Sequence, residues 1–136
     1  MAKEIAFTNL TLKSYSNLPE LLLDRDLASL GDSYVNFVYS LALSQKHKRP
    51  IGAKVKNQVL AEAVEMSGLR RFLPYRIDRH IRANAAEALL VFAWLQDKQA
   101  LDRSVKVLSE KESLIGAFAA LLREILEKTG VPHEDE

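Results

Sequence analysis

From Asn17 onward, apolar residues return every three or four positions along almost the whole chain, the period of an α-helix with one face turned inward. Interruptions are few, and Pro50, Gly68, Pro74, Gly130 and Pro132 mark the places where helices stop. Asn17-Leu18-Pro19-Glu20 reads as a capping box with proline in the first turn, which predicts a short helix over about 18–24. Leu27, Leu30, Tyr34, Val35, Phe37, Val38, Leu41 and Leu43 predict a helix over about 26–45, apolar on most of its circumference and therefore central. Val55, Val59, Ala63 and Met66 form the inward stripe of a third helix over roughly 53–67, with Gly68 as a left-handed C-cap. A second central helix, about 77–98, carries Ile81, Ala85, Ala88, Leu89, Phe92 and Leu95, and its alanines permit close approach to a neighbour. Leu101, Val105 and Leu108 predict a short helix. Ser109-Glu110-Lys111-Glu112 reads as a second capping box, opening a last helix that runs to Thr129 with Leu114, Phe118, Leu122 and Ile125 inward.

The expectation is one all-α domain over 1–136, a helical bundle with two central buried helices. Residues 5–12 alternate weakly but have no second strand to pair with, so residues 1–14 are expected as an ordered arm and 131–136 as an acidic tail. With 136 residues and 48% apolar content the chain can bury a core without staples. It has no cysteine, which excludes a zinc ribbon, a thiol nucleophile and a disulfide framework. Its first residues lack a basic and then apolar leader, and no apolar run approaches the roughly 18 residues of a membrane span. A cytoplasmic protein that does not enter a membrane is expected.

The net charge of +1 conceals an uneven distribution. Residues 1–45 carry 3 basic and 5 acidic side chains, residues 46–82 carry 10 and 3, and residues 83–136 carry 6 and 10. The middle block holds Lys46, Lys48, Arg49, Lys54, Lys56, Arg70, Arg71, Arg76, Arg79 and Arg82. On one face these would form a footprint for a polyanion; spread around their helices they are solvated surface.

No glycine-rich phosphate loop, His-Glu-x-x-His helix or Gly-x-Ser-x-Gly elbow is present, and His47, His80 and His133 stand apart in sequence. The features that need a chemical explanation are two polar intrusions into the most apolar helices. Asp32 follows Gly31, with Asn36 one turn further along the same face; Glu87 lies among alanines, with Asn84 one turn before it. A buried carboxylate without a partner costs several kcal/mol or takes up a proton. Either Arg25, Arg79 or Arg82 pairs with these acids, or the two converge on a cation, and an oxygen-only ligand set suits Mg²⁺ or Mn²⁺.

The run Leu27-Ala28-Ser29-Leu30-Gly31-Asp32-Ser33-Tyr34-Val35 resembles the signature helix of the ribonuclease III catalytic domain, whose core is Leu-Gly-Asp followed by Ala or Ser and then apolar residues. Val55-Lys56-Asn57-Gln58-Val59-Leu60-Ala61, with Ser67-Gly68-Leu69-Arg70-Arg71-Phe72-Leu73, is similar to the family's basic helix and its closing Leu-Gly-Leu connector. Ala86-Glu87-Ala88-Leu89-Leu90 resembles its Phe-Glu-Ala-Leu-Ile helix. The three blocks occur in the family's order and cover roughly residues 15–98.

The resemblance implies a ribonuclease III-like helical bundle in which Asp32 and Glu87 are the catalytic residues and hold Mg²⁺ or Mn²⁺. It implies hydrolysis of phosphodiesters in structured or double-stranded RNA, leaving 5′-phosphates and 3′-hydroxyls. Asn84 and Asn36 would support the metal from just outside its ligands, and Lys56, Arg79 and Arg82 would contact RNA phosphates. A homodimer is implied, with the surface around Ser29, Leu30 and Ser33 forming part of its interface. The sequence also departs from the family. Arg25, Ala28 and Asn84 stand where full-length bacterial members carry further acids, a reduction similar to that of the compact Mini-ribonuclease III branch, which also lacks the double-stranded-RNA-binding domain. The alternative reading is therefore a catalytically impaired RNA-binding protein of the same fold, and a third is a helical dimer that binds neither RNA nor metal.

Overall fold

The computed structural model describes residues 13–132, and the segments expected as the outer part of the N-terminal arm and the end of the acidic tail lie outside the described residues. Among the described residues six helices follow in order: α1 (Leu18–Leu22), α2 (Arg25–His47), α3 (Asn57–Ser67), α4 (Arg79–Gln96), α5 (Ala100–Glu110) and α6 (Leu114–Lys128), with a 3₁₀ turn at Leu69–Phe72 after α3. Among the described residues there is no strand.

Capping explains most of the boundaries. Asn17 Oδ1 accepts the Glu20 N–H at 2.9 Å, while the Glu20 carboxylate accepts the N–H of Ser16 at 2.6 Å, so the box closes one residue earlier than the usual pattern. Asp24 opens α2 by accepting the N–H groups of Asp26 and Leu27, and its other oxygen takes the Tyr15 hydroxyl at 2.7 Å. Gly68 ends α3 at φ 86°, in the left-handed region, as its position predicts. Asp78 opens α4 by accepting the Ile81 N–H.

α4 is the axis of the bundle. From Ala85 to Phe92 every side chain is buried, and Ala83, Ala85, Ala86 and Ala88 let neighbours pack close to its backbone. α2 and α3 lie along α4, α6 packs on α3, α5 joins α2 to α6, and α1 rests against α4. The core between them contains Leu18, Leu21, Leu60, Val64, Leu69, Leu89, Phe118 and Leu122, all but inaccessible to solvent. α2 buries one face, through Leu27, Ala28, Gly31, Tyr34, Val35, Val38 and Ala42, and leaves Leu30 and Phe37 open rather than being enclosed on most of its circumference.

Three local expectations are corrected. Residues 53–56 are extended and α3 begins at Asn57, because side chains of α2 take the backbone groups of this segment. Met66 points outward, and the inward face of α3 is Leu60, Ala61, Ala63, Val64 and Ser67. Ser109 is not a cap: α5 runs past it, its hydroxyl donates back to the Val105 carbonyl, and α6 opens at Ser113, whose Oγ accepts the Gly116 N–H at 3.0 Å.

Candidate functional site

Gly31 sets the crossing of the two longest helices. A Cβ built on it would lie 2.1 Å from the Glu87 carbonyl oxygen and 2.5 Å from the Glu87 carbonyl carbon, so only the hydrogen of glycine admits the α4 backbone at this point. The next residue on α2 is Asp32, which is exposed, and the residue met on α4 is Glu87, only 5% exposed. A close crossing thus brings the two acids together.

Their carboxyl groups lie close enough to influence each other. Burial, and then the neighbouring Asp32, push the Glu87 carboxyl up from its ordinary range to about 8, so near neutral pH it holds its proton. Asn36 completes the cluster. Its Nδ2 donates to Asp32 Oδ1 at 3.3 Å and its Oδ1 accepts the Val55 N–H at 2.8 Å, which fixes the amide orientation from the other side.

None of the arginines considered as partners reaches these acids. Arg82 is half-buried, its Nε lies 3.6 Å from Glu65, which also pairs with Arg70, and its Nη1 donates to the Ile77 carbonyl at 3.4 Å. Arg25 and Arg79 are exposed and form no ion pair among the described residues. Among the described residues, two carboxyl groups are thus held together with no basic side chain paired to either. Such a pair relieves its repulsion by keeping a proton or by taking a positive ion, and its donors are all oxygens, which fit a hard divalent cation.

Among the described residues no group of three or more His, Asp or Glu side chains is arranged to hold a metal. A Mg²⁺ ion bound through one or two carboxylates keeps waters for its remaining positions, so the pair is compatible with this cation in its sparest form. Asn84 is exposed on α4, one turn before Glu87.

The remaining predicted residues fall near one end of the bundle. Asn57, first in α3, lies 3.0 Å from the His80 ring at the start of α4, so the N-terminal ends of these helices are adjacent. Lys56 precedes α3 and Arg79 opens α4, both exposed. Lys56 also follows Val55, whose N–H is bound by Asn36. Lys56 and Arg79 therefore lie at the same end of the bundle, Lys56 next in the chain to the residue that Asn36 binds, whereas Arg82 is drawn toward Glu65.

Sequence reasoning missed Ser40 and Ser44. These α2 residues continue the line begun by Asn36 at four-residue spacing, a signal present in the sequence but hidden by the surrounding apolar pattern. Glu65 was missed as well, because its two arginine partners lie on different elements.

No helix among the described residues is long and apolar enough to cross a membrane. A comparison with curated proteins gave no match. Residues 25–131 match the family model described as Ribonuclease III, a span that includes α5 and α6 as well as the signature blocks.

Proposed function

The chain belongs to the ribonuclease III family, and from that membership we propose that it is a divalent-metal-dependent endoribonuclease acting on structured or double-stranded RNA. The observation that carries this reading is the Asp32–Glu87 pair, two carboxyl groups brought together at a glycine crossing without a compensating base. Asp32 and Glu87 would hold Mg²⁺ or Mn²⁺. When bound, that ion supplies Lewis acidity that polarises a phosphate and lowers the pKa of a water.

Each protein group then has a definable task. Glu87 would hold the cation as a carboxylate, since a positive charge would offset the effect of Asp32 and burial on its proton. Asn36 keeps one Asp32 oxygen oriented, and the Asp32 carboxylate would help to hold the cation. Asn84, exposed one turn before Glu87, would hydrogen-bond water or substrate. Lys56 and Arg79 supply positive charge for the phosphate backbone, and Arg82 contributes mainly by holding the start of α4 against Glu65. A homodimer is supported by Leu30 and Phe37, 38% and 55% exposed at a spacing that puts them on one face of α2 with Ser33.

A second reading, an RNA-binding protein with impaired catalysis, is favoured by Arg25, Ala28 and Asn84 at positions where the family resemblance expects acids. Cleavage of a long end-labelled RNA duplex, with Mg²⁺ and then Mn²⁺, separates the two. Metal-dependent cutting by the unsubstituted protein that is lost in Asp32→Ala and Glu87→Gln is expected. Duplex binding without cutting under either metal would overturn the enzymatic reading in favour of the second.

A further inference from the structure

Between α2 and α3 the chain runs extended through residues 51–55, without a strand to pair with, yet side chains of α2 take backbone groups of Ile51, Ala53 and Val55. Ser44 Oγ accepts the Ile51 N–H at 2.8 Å and donates to the Ile51 carbonyl at 3.2 Å. Ser40 Oγ accepts the Ala53 N–H at 2.9 Å and donates to the Ala53 carbonyl at 3.0 Å. Asn36 accepts the Val55 N–H. Three α2 side chains, each four residues apart, thus bind three alternate residues of a strap that runs antiparallel to the helix.

This arrangement governs where the intervening side chains go. Ile51, Ala53 and Val55 are half-buried against the bundle, whereas Gly52, Lys54 and Lys56 are exposed. Neither lysine has an ion-pair partner among the described residues. Side chains two apart on an extended chain share a side and lie about 7 Å apart along it, so the pair projects in the same direction. The strap ends on Asn36, and Asn36 holds Asp32. Lys54 and Lys56 therefore stand on a rigid support whose last link is the site itself. A flexible loop carrying the same two charges would lose entropy on ordering, and the serines remove that loss in advance.

Resting on the RNA reading above, we propose that Ser40 and Ser44 are positioning residues for substrate: by binding the strap they hold Lys54 and Lys56 as a paired contact for the RNA phosphate backbone. The partner is a polyanionic duplex read by its phosphates, not by its bases.

The test is the salt dependence of duplex binding, measured without divalent metal so that cleavage does not enter. The unsubstituted protein is compared with Lys54→Gln/Lys56→Gln, with Ser40→Ala/Ser44→Ala and with the four substitutions combined. The lysine variant should reduce the slope of log K against log salt by about 1–2, the loss of one or two phosphate contacts. The serine variant, with both lysines present, should lose a similar part of the slope, and the combined variant should lose no more than either alone. Ser40→Thr/Ser44→Thr, which retains the hydroxyls, should restore it. With active protein, the serine variant should raise KM several-fold and leave kcat within about twofold.

An unchanged slope in the lysine variant, which leaves every strap hydrogen bond in place, overturns the proposal whatever the serine variant does. So do additive losses in the combined variant, which would make the serines merely structural, and so does an unsubstituted protein that fails to bind duplex at low salt. Binding with the predicted slopes but no cutting under any metal would sink the enzymatic reading alone.

Discussion

Gly31 on α2 lies against the backbone carbonyl of Glu87 on α4, a contact that leaves no room for a Cβ. The packing of the two helices and the meeting of the two acids are consequences of the same missing atom.

Gly31→Ala should therefore damage both. The helices must separate or tilt to admit a methyl group 2.1 Å from a carbonyl oxygen, and overpacking of this kind costs about 3 kcal/mol. Urea unfolding should show that loss, and Glu87 should lose contact with Asp32. Full stability in Gly31→Ala would refute the tight crossing.

The raised pKa of Glu87 makes a prediction with a definite sign. The folded protein retains a proton on Glu87 up to about 8, while the unfolded chain releases it near the ordinary value of 4.5. Because the folded state binds more protons in this interval, its stability is fully present below the unfolded value and declines as pH rises through about 8, by about 1.4 kcal/mol for each unit of difference. In metal-free buffer the melting temperature should fall between about pH 5 and 9, and Glu87→Gln should flatten that part of the profile. A wild-type profile as flat as that of Glu87→Gln would exclude the buried proton.

Metal should act in the opposite direction. A cation at the pair replaces the proton, so Mg²⁺ or Mn²⁺ should stabilise the protein more at pH 8 than at pH 6. At about 100 times its dissociation constant the ion adds roughly 2.7 kcal/mol to stability. Thermal unfolding should report this shift in the unsubstituted protein and none in Asp32→Ala. An equal shift in the variant would locate cation binding elsewhere.

Asn36→Ala removes an acceptor from the Val55 N–H and a donor from Asp32. About 1–2 kcal/mol of stability should be lost, and cleavage should fall roughly 10–100-fold because the orientation of Asp32 is lost. Asn36→Asp keeps the acceptor for Val55, restoring stability more than activity. Comparing the two variants by unfolding and by cleavage separates the two hydrogen bonds.

Phe37→Glu tests the exposed face of α2. Phe37 packs on no neighbour strongly enough to bury it, so the substitution should leave the melting temperature of the isolated chain little changed. Sedimentation should show a dimer for the unsubstituted protein and a monomer for the variant. A dimer that survives the substitution would move the interface away from this face.

Helix order and type were legible because each helix carries its own evidence. Asn17 and Glu20 mark a start, Gly68 marks a stop, and the alanines of α4 announce close packing. Two acids expected to be buried in central helices raised the meeting of Asp32 with Glu87 as one of two possibilities and resemblance favoured it, since nothing in the spacing of residues 55 positions apart specifies a crossing angle. What was hidden was non-local. The strap is extended because Ser40 and Asn36, 13 and 19 residues earlier, bind its backbone, and no local pattern reports that. Arg82 is held by Glu65 across two helices, which periodicity does not reveal. Ser109 shows the converse error: a capping-box pattern is short enough to occur by chance at the end of a helix, where its serine bonds backward.

The serine and asparagine contacts of α2 also show how a helix can stand in for the missing edge of a sheet. Four residues of helix advance about 6.0 Å, and two residues of extended chain about 6.7 Å. The two rulers disagree by less than 1 Å per step, within the tolerance of hydrogen bonding for two or three steps and beyond it soon after. A strap of this kind is therefore self-limiting in length, and the chain leaves it at Lys56, before the accumulated mismatch would force the two out of register.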